Sequence, residues 1–261
     1  MIALKALWAP NKLARVRMAA ANPGFASFER AIRVAHFNYL IGPRDPAVLR
    51  PIGVPATTAE WIRKKYKTAP KSLALDWITA ARNEHDLTVC PMCGGTSVAT
   101  LEHVLPKADY PEFSVLSFNI VPCCDGCQRT RSNKGARYEF IHPYFDRQIM
   151  VSLRLEVTFT PPYESVLFKL HPRGLVGTDL QRAQRHLEES LPPLLFRRHM
   201  RRLWIRWRGR CYGVALGDAQ RRITEELDEA EREVVNSWDV GFLRGLSQDV
   251  SVISWMTRTP R

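Results

Sequence analysis

The chain lacks long apolar runs. No stretch approaches 18 consecutive apolar residues, so no membrane-spanning helix is predicted. It lacks acids at its start: none precedes Glu29 in "MIALKALWAPNKLARVRMAAANPG". That bias is faintly like a transit peptide, but Pro10 interrupts it and a clean apolar region is missing. The segment is therefore expected to be a folded or DNA-facing helix pair and not a targeting signal. Internal repeats and low-complexity tracts are absent too. Cysteine is scarce, six in 261 residues, and five of the six fall between Cys90 and Cys127. A disulfide-stapled secreted domain spreads its cysteines along a short chain, so this clustering points to a metal site in a reducing compartment, here the cytoplasm.

What is present is basic. The formal net charge is +12, with 45% hydrophobic residues. That is enough apolar material for a real core and too much for a disordered chain. The positive surplus favours a polyanionic partner, DNA first with RNA as the alternative, and an acidic membrane surface second.

Three regions follow from the patterning. Residues 1–89 read as helical. "ASFERAIRVAHFNYL" puts Phe28, Ile32, Ala35 and Tyr39 on one face. "TTAEWIRKKY" carries Thr57 and Glu60 at capping-box spacing. Pro70 should end that helix, "SLALDWITAARN" should form the next, and "IGPRDPAVLRPIGVP" reads as a loop. Residues 90–146 are rich in turns and poor in periodicity, and such a segment needs a metal to fold. Residues 147–261 return to ordinary patterns. "MVSLRLEVTF" alternates, with Val151, Leu153, Leu155, Val157 and Phe159 on one side, and "SVLFKL" should pair back on it as a hairpin. Thr178 and Gln181 have capping-box spacing for a helix through about Glu189. A long helix should follow Pro193, with Phe196, Met200, Trp204, Trp207 and Cys211 as its apolar stripe. An acidic helix should cover about 218–236.

Two C-x-x-C pairs, Cys90/Cys93 and Cys124/Cys127, are separated by 30 residues. Each pair forms a knuckle whose thiolates converge, and two knuckles make a closed tetrahedral site for structural Zn²⁺. Cys123 has the wrong spacing and is assigned to packing as a small buried thiol. A redox role for Cys90–Cys93 is disfavoured, because no βαβ pattern surrounds it.

Between the knuckles lie Glu102, His103 and Asn119, and Gln128 follows just beyond. The order "C-x2-C … E-H … N … C-x2-C-Q" resembles the HNH (His-Me finger) endonucleases, whose site is a ββα-metal unit. More narrowly, "CPMCG", "EHVLPKADYPEFS", "NIVPCCDGC" and "IHPYFD" resemble a bacterial group in which zinc knuckles brace that unit. Some of its members, of Septu and retron-associated type, accompany ATPases or retrons in phage-defence loci. The resemblance is specific over 90–146 and diffuse elsewhere. It implies an α+β fold, with helical flanks around a zinc-braced ββα-metal core and a small β-hairpin after it. It implies metal-dependent hydrolysis of DNA phosphodiesters, an antiviral role and a partner protein such as an ATPase or a retron complex.

The chemistry suits those residues. His103 can serve as general base near neutral pH. Glu102 can hold a hard cation, Mg²⁺ or Mn²⁺, through oxygen. The resemblance makes Asn119 a brace for the loop bearing His103 and makes Gln128 the second ligand of that cation. Most relatives carry Asn or His at that place, so Gln128 is a departure. A chain degenerate there would remain a zinc-braced binding or assembly subunit. Neighbours on a strand face opposite ways, so Glu102 and His103 can share a site only if the strand ends or bends there. His142 in "IHPYFD" reads either as a further ligand or phosphate contact or as a packed histidine. Lys107, Arg129, Arg131 and Lys134 suit phosphate positioning, or form a solvated face. In "FRRHMRRLWIRWRGR", Arg201, Arg202 and Arg206 stand among seven arginines that make an electrostatic footprint for nucleic acid, while the tryptophans belong to the core. The acidic stretch "EELDEAEREV" would repel nucleic acid and meet a basic partner or water.

Overall fold

The computed structural model describes residues 1–5, 9–42, 49–83, 86–96, 98–132 and 141–260. Among these, α1 (Asn11–Ala21), α2 (Pro23–Ala26), α3 (Glu29–Ile41), α4 (Ala56–Thr68) and α5 (Trp77–Asn83) precede a short antiparallel pair, β1 (Val98–His103) with β2 (Ile120–Cys124). Helix α6 (Asp125–Ser132) leaves β2 directly and packs on both strands. Then come α7 (Arg147–Ser152), the antiparallel hairpin β3 (Arg154–Thr160) with β4 (Leu167–Arg173), and α8 (Gly177–Ser190). The chain finishes with α9 (Pro193–Cys211), α10 (Leu216–Glu233), α11 (Trp238–Gln248) and α12 (Val250–Arg258). The fold is thus a mixed α+β one, mainly helical with two small antiparallel strand pairs. None of the described helices is long and apolar enough to cross a membrane.

Several local expectations need correction. Thr57 and Thr178 do not cap their helices. Each helix begins one residue earlier, at Ala56 after Pro55 and at Gly177 after Val176, and neither preceding side chain can accept an amide hydrogen bond. "SLALDWITAARN" does not form one helix. Ala74 takes a left-handed turn (φ 55°), so Lys71–Leu73 make a single 3-10 turn and the helix starts only at Trp77. The alternating stretch begins late. Val151 lies in α7 and is exposed, while Leu155, Val157 and Phe159 of β3 are buried. The opening is not simply a helix pair, because Met1 is buried and its amino group bonds the Asn236 carbonyl before α1 starts. The piece 43–48 of the "IGPRDPAVLRPIGVP" loop lies outside the described residues.

Two apolar cores flank the β1–β2 pair. One gathers Met18, Phe25, Ile32, Ile62 and Ile78 from the early helices and takes Leu101, Val115 and Ile120 from the middle of the chain. The other joins the cysteines, Val104, Leu105 and Val121 to β3, α9, α11 and α12. Helix α11 lies so close on β3 that a Cβ at Gly245 would sit 1.7 Å from the Val157 carbonyl oxygen. That neighbour is backbone and cannot rotate away. Gly245→Ala is therefore expected to lower unfolding free energy by about 3 kcal/mol, the upper range for overpacking. A urea melt with an unchanged midpoint would refute that.

Candidate metal centre and the residues it brackets

Cys90 and Cys93 sit on one turn. Gly94 follows with φ 81°, a conformation that favours glycine, and its amide bonds the Cys90 carbonyl at 2.9 Å. Cys124 ends β2 and Cys127 lies in the first turn of α6. Folding the two strands together therefore delivers the second pair to the first. All four thiols are buried and their sulfurs lie within 4.8 Å of one another. The Cys90–Cys127 and Cys93–Cys124 contacts are 3.9 Å and 3.8 Å. Four thiolates about 2.3 Å from one tetrahedral ion stand about 3.8 Å apart, so the donor set and its spacing fit structural zinc.

Backbone amides point at the sulfurs, as thiolates require: Gly95 to Cys93 at 3.3 Å, Cys124 to Cys90 at 3.4 Å and Cys127 to Cys124 at 3.4 Å. Hydrogen bonds from Cys124 and Cys127 hold the Cys90 thiol well below its usual range. Cys127 Sγ also donates to the Ser190 carbonyl at 3.0 Å, a bond that only a protonated thiol makes and that a bound ion would replace. The Trp238 indole donates to the Cys93 carbonyl at 2.8 Å and ties the turn to α11. Cys123 stays out of the cluster. It packs as a buried thiol against the Thr100 hydroxyl at 3.3 Å, and burial pushes it up.

His103 is the last residue of β1 and pairs with Ile120. It is buried, and its Nε2 donates to the Ser114 carbonyl at 3.0 Å. That bond leaves Nδ1 as the basic nitrogen. The Tyr66 ring of α4 stands edge-on to the imidazole at 4.4 Å. Burial pulls His103 down to about 3, and Lys107 and Arg82 push the same way, so the ring is neutral at working pH. Glu102 is part-exposed. Burial raises its carboxyl to about 7 against the opposing charges of Arg131 and Lys107. The strand does end at His103, and Lys107 is the charge that both residues feel.

Asn119 immediately precedes β2 and is fully buried. Its Oδ1 accepts from the Leu105 amide at 2.7 Å, and its Nδ2 donates to the carbonyls of Leu105 at 3.0 Å and Phe113 at 3.2 Å. One side chain thus ties Leu105, near the start of the loop that follows His103, to Phe113 in its middle. Gln128 of α6 donates through Nε2 to the Leu101 carbonyl at 3.3 Å, which ties it to the strand just before Glu102.

His142 is not arranged as a ligand. Its Nε2 meets the Tyr39 hydroxyl at 3.0 Å and the Phe118 carbonyl at 3.1 Å, and its Nδ1 accepts from the Tyr144 amide at 3.2 Å. Both nitrogens have protein partners and the ring is packed against Phe145 at 4.6 Å, which favours the packed histidine.

The basic residues divide. Lys107 lies beside Glu102, over the Tyr66 ring. Arg129 is exposed on α6. Arg131 reaches the Val104 carbonyl and the Ser190 hydroxyl, both at 3.5 Å. Lys134 lies outside the described residues. On α9, Arg201 and Arg202 are exposed, and Arg202 approaches His199 Nδ1 at 3.3 Å. Arg206 and Arg210 are both held by Glu226 of α10 at 3.0 Å. The acidic helix therefore meets the arginine helix of its own chain. Trp204 and Trp207 are core residues. Sequence reasoning missed Tyr66 and Arg82, which lie 32 and 16 residues before β1. No local spacing marks them.

A 65-residue stretch of the chain is 38% identical to protein ea31 of Escherichia phage lambda. The match spans 23% of this chain and 22% of that protein. No family description matches, and no solved structure does.

Proposed function

We propose that the chain is a metal-dependent HNH endonuclease that hydrolyses DNA phosphodiester bonds. The observation that carries this reading is the Asn119 clasp. It fixes the loop after His103 within a strand–strand–helix unit whose two ends meet at the cysteine cluster. The HNH resemblance of the motifs adds to it. Hydrolysis needs a base for water, and His103 supplies one through Nδ1, neutral and oriented by Ser114. Glu102 and Gln128 would hold Mg²⁺ or Mn²⁺, which supplies charge for the developing phosphorane. One carboxylate with an amide is a sparse set, but such ions commonly keep waters and take the rest of their shell from substrate phosphates. The half-buried Glu102 carboxyl, raised to about 7, is a group that a cation would stabilise in its charged form. By the same resemblance, the enzyme acts in anti-phage defence with a partner ATPase or retron complex.

Glu102→Gln tests the metal arm. Plasmid nicking in Mg²⁺ or Mn²⁺ is expected to fall about 10²–10³-fold, the several kcal/mol such an ion contributes. Undiminished nicking would remove Glu102 from the site. The second reading, a zinc-braced binding subunit without catalysis, is favoured by the glutamine at position 128, whose longer side chain changes the reach of the amide oxygen. It predicts DNA binding with no cleavage in any divalent ion.

A further inference from the structure

We propose that Tyr66, Arg82 and Lys107 form an anion site beside His103 that receives a phosphate of the nucleic-acid backbone. The identity of the ligand rests on the nuclease reading; the site itself rests on geometry. The Arg82 guanidinium lies 5.1 Å from the centroid of the Tyr66 ring, and the Lys107 ammonium lies 4.9 Å from the same centroid. The ring is buried and touches His103 at its edge. Three separate segments, α4, α5 and the loop after β1, thus converge to place two cations on one aromatic ring next to the imidazole.

That arrangement costs repulsion. Burial holds Lys107 below its ordinary value, and Arg82 and Lys67 push it further down. Elsewhere the protein answers such charges with acids: Arg15 with Glu29, Arg173 with Glu156, Arg182 with Asp146, Arg206 with Glu226. Among the described residues, neither Arg82 nor Lys107 is joined to a carboxylate by an ion pair. Glu102 is the acid that faces Lys107, and Arg131 shares it. Positive charge gathered at a partly buried site in excess of the one acid that faces it is complementary to an anion from outside. A guanidinium fork and an ammonium gathered on one ring suit the non-bridging oxygens of phosphate. A purely structural cation–π clasp on Tyr66 is the competing account, and it predicts no anion binding.

The test titrates inorganic phosphate into the full-length zinc-loaded protein in buffer free of Mg²⁺ and Mn²⁺. The readout is the His103 imidazole resonance, assigned by its loss in His103→Ala. A saturable shift is expected. Arg82→Gln and Lys107→Gln should each raise its midpoint about tenfold, Arg82→Lys should recover part of the loss, and Lys169→Gln, at an exposed position on β4, should change nothing. Lys107→Gln decides if Arg82→Gln fails to fold. No saturable shift, or an unchanged midpoint in Lys107→Gln, overturns the site. Phosphate binding that depends on Lys107 in a protein that never cleaves DNA strikes the nuclease reading alone. Cleavage that needs His103, with phosphate binding indifferent to Lys107, strikes the anion site alone.

Discussion

Replacing Cys90 or Cys127 with serine is expected to unfold the protein, and stripping metal from the native chain should do the same. Zinc held by four thiolates contributes on the order of 10–16 kcal/mol in small zinc domains. A domain's whole stability is about 5–15 kcal/mol. The site joins the turn before β1 to the start of α6. It is tied onward to α11 through Trp238. Its loss therefore reaches the second core as well as the strand pair. Cys123→Ser is the control: that thiol is buried but outside the cluster, and its replacement should cost only about 1–3 kcal/mol. Elemental analysis should find one zinc per chain. A metal-free chain with native near-ultraviolet dichroism, or a Cys127→Ser variant that melts like the parent, would contradict the zinc assignment.

The parts of this structure legible in the sequence were those set by local signals. Cysteine spacing marked the four-thiol cluster that could hold a metal ion. The 3.6-residue stripe marked α9, whose Phe196, Met200, Trp204, Trp207 and Cys211 are all buried. Strand alternation marked the β3–β4 pairing. The failures occurred where packing overrode a local rule. Thr57 and Thr178 had capping spacing, yet their helices start earlier. Ala74 broke a stretch of good helix formers through a left-handed turn. The surroundings of His103 were illegible for another reason. Tyr66 and Arg82 reach it only because the early helices pack against Leu101, Val115 and Ile120. Likewise, nothing in an arginine-rich helix announced that Glu226 would hold two of its members.

His103→Ala should lower the rate of DNA cleavage about 10²–10⁴-fold, the usual contribution of a general base. The substitution removes the nitrogen that would take the proton from water. It also removes the Ser114 bond and the Tyr66 contact. A stability loss of a few kcal/mol is therefore expected beside the catalytic one, and both variant and parent must be assayed well below their melting temperatures. Asn119 keeps the loop in place through Leu105 and Phe113 in the variant, so DNA binding should persist when cleavage is gone. That separation of binding from cleavage distinguishes a lost base from a lost fold.

The most direct measurement is a time course of supercoiled plasmid nicking by zinc-loaded wild type and by His103→Ala at equal concentration in Mn²⁺. Nicking by wild type, with a rate at least about a hundredfold lower in the variant, is the predicted result. Equal nicking by the two proteins, or none by wild type in either Mg²⁺ or Mn²⁺, would contradict the nuclease account.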